Sequence, residues 1–183
     1  MTAAQERRNR HNVYTLSGAL LASFAIVLVV VLLTVRPEPS SRNEINWHDV
    51  HASAPNASAL VDPLFTAADG DWWSNRAEYI AGKTPEWYIG FITPDGGYVA
   101  VEQFVDSIDD TVGNVLDDVA GTDITIDGIV WTKFDRSGLD DPGNHALVYQ
   151  TPLPSGGSLI VSGTASAKEI ELVASRAFTS LKG

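Results

Sequence analysis

Between Val13 and Val35 the chain runs for 23 residues, VYTLSGALLASFAIVLVVVLLTV, without a charge. A helix rises about 1.5 Å per residue and the hydrocarbon core of a bilayer is about 30 Å thick, so about 20 apolar residues span it. This run is expected to be a transmembrane helix, and whatever follows it must fold on one side of that membrane. A cleaved signal peptide has a shorter apolar region, about 7 to 15 residues, followed closely by a small-x-small site. Here Thr34-Val35-Arg36-Pro37 follows, and the nearest such site is Ala52-Ser53-Ala54. The chain has no cysteine, so a lipid anchor on a processed N-terminus is ruled out. The run reads as an uncleaved signal-anchor.

Residues 1–12 hold Arg7, Arg8 and Arg10 against Glu6, which favours a cytoplasmic N-terminus. Arg36 and Arg42 on the far side weaken that signal without reversing it. The expected layout is a basic cytoplasmic tail (1–12), an anchor (13–35), a linker (36–45) and an extracytoplasmic domain (46–183). The expected location is the plasma membrane, crossed once. The linker, built around RPEPSSRN, is short and too polar to bury a core, so the domain should sit close to the bilayer. From Asn43 onward seven Lys or Arg stand against 21 Asp or Glu, a balance of −14. Such a domain repels phosphate backbones, so nucleic acid is not among its expected partners. Without cysteine it also has no disulfides, thiolate metal sites or cysteine nucleophiles.

The pattern past the linker first reads as loop with a little helix over Ala52 to Ala68, then as strands. Strands are expected over Trp72 to Ile80, Trp87 to Thr93 and Tyr98 to Val105, the last two joined by the turn residues Pro94-Asp95-Gly96-Gly97. Thr122 to Ile126 and Ile129 to Phe134 flank Asp127-Gly128, a two-residue hairpin signal, and His145 to Thr151 and Ser158 to Thr164 follow. Two amphipathic helices complete the set. One covers Ser107 to Ala120, with Ile108, Val112, Val115, Leu116 and Val119 on one face. The other starts at the capping box Ser166-Ala167-Lys168-Glu169. The fold class expected is α+β: an antiparallel sheet of about six or seven strands with two amphipathic helices on one face, preceded by one transmembrane helix.

Four segments in order, WYIGFITPDGGYVAVEQ (Trp87 to Gln103), IDGIVW (Ile126 to Trp131), ALV (Ala146 to Val148) and LIVSGTAS (Leu159 to Ser166), resemble an actinobacterial family known as DUF4245. The resemblance covers roughly Trp47 to Leu181, and a basic tail with a single span is that family's usual layout. It implies location and fold. It carries no activity, cofactor or catalytic residue, because none is assigned to the family.

Candidate chemistry is sparse. His48 and His51, three apart and near Asp49, would share a face of a helix, but two histidines fall short of the three or four ligands of a zinc site. Ser162 and Ser155 are the tempting serines, yet neither lies in G-x-S-x-G, and His145 merely opens a strand. The aspartates over 106–118 read as a solvated helix face. No catalytic, metal or cofactor-binding residue is therefore assigned, and no cofactor is expected. The aromatic residues point further. Adjacent strand residues face opposite sides, so Trp72 and Trp73, like Trp87 and Tyr88, cannot share one core. Trp87, Phe91 and Trp131 suit a core, leaving Trp73, Tyr88 and Tyr98 as a candidate interaction surface unless the Ala52 to Ala68 segment covers them. In the anchor, the small residues Gly18, Ala22 and Ala25 would let another helix approach.

These features favour a non-catalytic, membrane-anchored protein, an accessory or scaffolding subunit that binds another cell-envelope membrane protein and touches lipid through its anchor. The alternative is an extracytoplasmic ligand-binding or sensing domain; an envelope hydrolase ranks third.

Overall fold

The computed structural model describes residues 20–27, 42–105, 116 and 119–181. The chain divides into two units, Met1–Arg42 and Asn43–Gly183. In the first, the described residues 20–27 are helical, with Leu20, Leu21, Phe24, Ile26 and Val27 all exposed. Among the described residues no helix is long and apolar enough to cross a membrane. Most of the Val13 to Val35 run lies outside them.

The second unit is an α+β domain on a seven-stranded, wholly antiparallel sheet. Its strands are β1 (Trp73–Ile80), β2 (Glu86–Ile92), β3 (Tyr98–Phe104), β4 (Thr122–Ile126), β5 (Ile129–Asp135), β6 (Leu147–Pro152) and β7 (Ser158–Gly163). Their spatial order is β1-β2-β3-β7-β6-β5-β4. Two hairpin-linked meanders thus meet where β3 pairs with β7, and β1 and β4 form the edges. The turns follow the chemistry of their residues. Asp127 and Gly128 both have positive φ (48° and 80°), the pairing that a two-residue type I′ hairpin needs.

One face of the sheet carries the main core. Trp87, Ile89, Phe91, Val99, Val101, Trp131, Tyr149, Leu159 and Val161 pack against Ile170, Val173, Ala174, Ala177 and Phe178 of a C-terminal helix, Ala167–Ser180. That helix starts where the capping box places it: the Ser166 hydroxyl accepts from the Glu169 N–H, and the Glu169 carboxylate accepts from the Ser166 N–H. The other cover of this face is the segment before β1. It contains a short helix, Trp47–Ser53, capped by Asn46, and two 3-10 turns, Ala57–Ala59 and Ala67–Asp69. Here α1 denotes Trp47–Ser53 and α2 denotes Ala167–Ser180. The sequence raised a helix here only as the condition for His48 and His51 to share a face, and the structure forms one. It holds through packing, because Trp47 lies edge-on to Phe91 at 5.2 Å and to Phe65 at 6.3 Å.

The Ala52 to Ala68 segment therefore covers the same face as α2, not the face left for Trp73, Tyr88 and Tyr98. Buried Gln103 fixes it there, accepting from the Val61 N–H at 2.7 Å and donating to the Ala59 carbonyl at 2.7 Å. The Trp87 indole adds a bond to the Val61 carbonyl at 2.8 Å. The expectation that both amphipathic helices share one face needs correction. The helix expected over Ser107 to Ala120 lies outside the described residues save its last two positions and Leu116. Leu116 is buried against Phe104, Val148 and Ile160 on the opposite face. Phe104, the last residue of β3, points to that side as well.

Candidate functional site

The second face is built in rows by the strand register. Trp73, Ile92 and Tyr98 align across β1, β2 and β3; the next row is Arg76, Gly90, Ala100 and Ser162, and the next Glu78, Tyr88, Glu102 and Ile160. Trp73 and Arg76 share this face only because the β1–β2 register shifts between Ser74 and Arg76. Three residues apart, they would otherwise point to opposite sides. Trp73, Tyr88 and Tyr98 thus lie on one face, each half-buried, away from α1 and α2.

Tyr98 crosses diagonally over Gly90. A Cβ at position 90 would come within 2.7 Å of both the Tyr98 hydroxyl and the Asn75 side-chain oxygen, so a glycine is what lets the ring lie there. The Tyr98 hydroxyl then meets the Tyr88 hydroxyl. The Arg76 guanidinium lies over the Tyr88 ring, 4.5 Å from its centroid, and pairs with Glu78.

At the centre is Glu102, 6% exposed and directly opposite Tyr88. Burial, then repulsion from Glu86, push its pKa up to about 7, with Ser162 and Arg76 opposing only in part. The Ser162 hydroxyl is near enough to favour the ionised form, yet it is fully buried and makes no hydrogen bond of good geometry. His145 Nε2 stands 3.9 Å from Glu102 Oε1. Burial first, then the charge of Arg136, lowers the His145 pKa. Both partners move toward their neutral forms, so desolvation outweighs their mutual attraction and the contact is weak as an ion pair. Ser162 and His145, remote in sequence, converge on one carboxylate.

Sequence reasoning passed over Glu102. Its signal was a lone charge alternating with apolar residues in YVAVEQF, on the same side as Tyr98 and Ala100.

Two further histidines, His48 and His51, serve the core face. His48 and His51 of α1 both turn to Asp62, His48 Nδ1 at 2.5 Å from Oδ1 and His51 Nδ1 at 3.8 Å from Oδ2. Asp49, their expected neighbour, accepts from Asn46 at 2.9 Å instead. This cluster staples α1 to the loop below, beside an open cleft of about 580 Å³ lined by Leu60, Leu64, Arg176 and Ser180. Among the described residues no three His, Cys, Asp or Glu side chains are placed to hold a metal ion. Of the small residues expected to admit another helix, Gly18 lies outside the described residues, and Ala22 and Ala25 are exposed on the helical stretch 20–27.

An antiparallel seven-stranded α+β sheet domain, with α1 and α2 on one face and a polar, aromatic cluster on the other, defines the class of protein. A profile of the family described as "Protein of unknown function (DUF4245)" matches residues 8–177, and the chain belongs to that family. No curated protein and no solved structure matches it.

Proposed function

We propose that this chain is a non-catalytic, single-pass membrane protein whose extracytoplasmic domain binds another membrane protein of the cell envelope as an accessory or scaffolding subunit. The observation that carries this reading is the second face of the sheet. Trp73, Tyr88 and Tyr98 share it, half-buried, with Arg76 and Glu78 beside them and with α1 and α2 on the other side. Aromatic side chains mixed with arginine are the composition of interaction hot spots. Anchoring is supported by the uncharged 23-residue run and by the exposed apolar side chains of residues 20–27. The anchor adds a contact surface of its own at Gly18, Ala22 and Ala25. A second reading, a sensing domain, draws on Glu102, whose pKa of about 7 lies where a small environmental change alters its charge.

The test is purification of the full chain, tagged at the C-terminus, in mild detergent, beside a Trp73→Ser/Tyr88→Ser variant shown to fold by tryptophan fluorescence. The reading expects one envelope protein to co-purify in fixed ratio with the native chain and to be lost with the variant. Recovery of the native chain alone sinks it. Protease treatment of intact spheroplasts checks topology, the C-terminal tag being expected to be digested.

A further inference from the structure

The two edges of the sheet are treated differently. Along β1, Ile45 forms a bridge to Ser74, the register shift follows, and the charged Arg76 and Glu78 stand beyond it. Bridges, bulges and charges are the usual means of blocking a sheet edge. The other edge, β4, is Thr122-Asp123-Ile124-Thr125-Ile126, with neither proline nor bulge and with one charge. No described residue hydrogen-bonds its outer side.

Which backbone groups face outward follows from the hairpin. In a two-residue hairpin the flanking residues, here Ile126 and Ile129, exchange both hydrogen bonds. By alternation Ile126, Ile124 and Thr122 direct their N–H and C=O groups to β5, while Thr125 and Asp123 direct theirs outward. That pattern is self-complementary. Two β4 strands placed antiparallel about a two-fold axis at Ile124 set Thr125 opposite Asp123 of the other copy, twice, and Ile124 opposite itself. Each Thr–Asp pair exchanges two backbone hydrogen bonds. The side chains repeat a pairing the sheet already uses, since the Thr132 hydroxyl donates to the Asp123 carboxylate across the β4–β5 ladder at 3.2 Å.

We infer that β4 is a homodimerisation edge, joining two copies of this chain into one continuous sheet through the Asp123–Thr125 pairs. An edge of five residues buries less than the about 1,000 Å² typical of a stable soluble dimer. The contact therefore gains its strength from the proposed anchor, on which this inference rests: two chains tethered to one membrane meet at high effective concentration. The aromatic face is left free for a different partner.

The cysteine-free chain makes the test direct. In the full-length protein in native membranes, Ile124→Cys brings one thiol to the axis, where opposing Cα atoms about 4.5 to 5.5 Å apart are within disulfide reach. Mild oxidation with copper phenanthroline is expected to give at least about ten-fold more disulfide dimer than Val130→Cys, an exposed position one strand inward and about 16 Å from its copy. Adding Thr125→Pro removes an outward N–H that no described residue bonds, and should cut the Ile124→Cys dimer at least about five-fold. If Ile124→Cys folds poorly, Asp123→Cys and Thr125→Cys chains, both at exposed positions, should cross-link when co-expressed and not when expressed singly. Equal yields at 124 and 130, no effect of Thr125→Pro, or no 123–125 link overturns the inference. Carbonate extraction scores the anchor separately, the cross-link being read in whichever fraction holds the chain.

Discussion

Replacing Glu102 with glutamine keeps the shape of a buried side chain and removes its charge. In the folded domain the carboxyl has a pKa of about 7 against an ordinary 4.5. The folded state therefore holds a proton between those values that the unfolded state has lost, so the Glu102 contribution to stability falls as pH rises from about 4.5 to 7 and is flat above that. The difference between those two values, at about 1.36 kcal/mol per tenfold change in proton affinity, is about 3 kcal/mol, and the side chain is buried enough that little of this is screened. The glutamine variant escapes the loss. Relative to the native protein it should gain about 3 kcal/mol between pH 4 and pH 8, or on the order of 10 °C in Tm at pH 8. His145 has a lowered pKa and so contributes with the opposite sign, adding stability as pH rises toward 6.5, but it is present in both proteins and cancels to first order. Thermal melts of the full chain in detergent, followed by tryptophan fluorescence, measure the gap. All five tryptophans, Trp47 to Trp131, lie beyond Arg42, so the signal reports the domain alone. A gap that stays constant within about 0.5 kcal/mol from pH 4 to 8, or a variant less stable at pH 8, would refute the argument.

Gln103→Leu strands the buried Val61 N–H and releases the segment before β1, so denaturant melts should show a loss of about 2 to 3 kcal/mol. Ser166→Ala removes the cap of α2 and should cost about 1 kcal/mol in the same assay. Gly90→Ala forces Tyr98 or Asn75 aside; a loss of about 1 to 3 kcal/mol is expected, with changed near-ultraviolet circular dichroism as the tyrosine pair separates. Asp62→Asn weakens the hold on His48 and His51. Hydrogen exchange over α1 should accelerate while that over α2 stays unchanged.

Much of this architecture was legible in the chain because it is locally encoded. Each of the seven strands lies within two residues of where alternation and turn residues put it. Asp127-Gly128 specified its hairpin because so few residues accept positive φ at two successive positions. The Ser166 box started α2 where the sequence places it. Trp87, Phe91 and Trp131 were assignable to the core because alternation separates them from their neighbours.

What only the tertiary structure decided are the pairings between distant residues. α1 is too short to be stable alone and exists because Trp47 finds Phe91 and Phe65. The register shift beside Asn75, invisible to a period-two reading, turns Trp73 and Arg76 to the same side. Glu102, Ser162 and His145 are ordinary residues in their own strands and loops. They become a site because β3 pairs with β7 and β7 with β6, and because the sheet then denies water to a carboxylate. The chain by itself determined its periodicities, turns, caps and uncharged apolar run, since those depend on neighbours in sequence. Strand order, the shared face and the shifted carboxyl depend on neighbours in space.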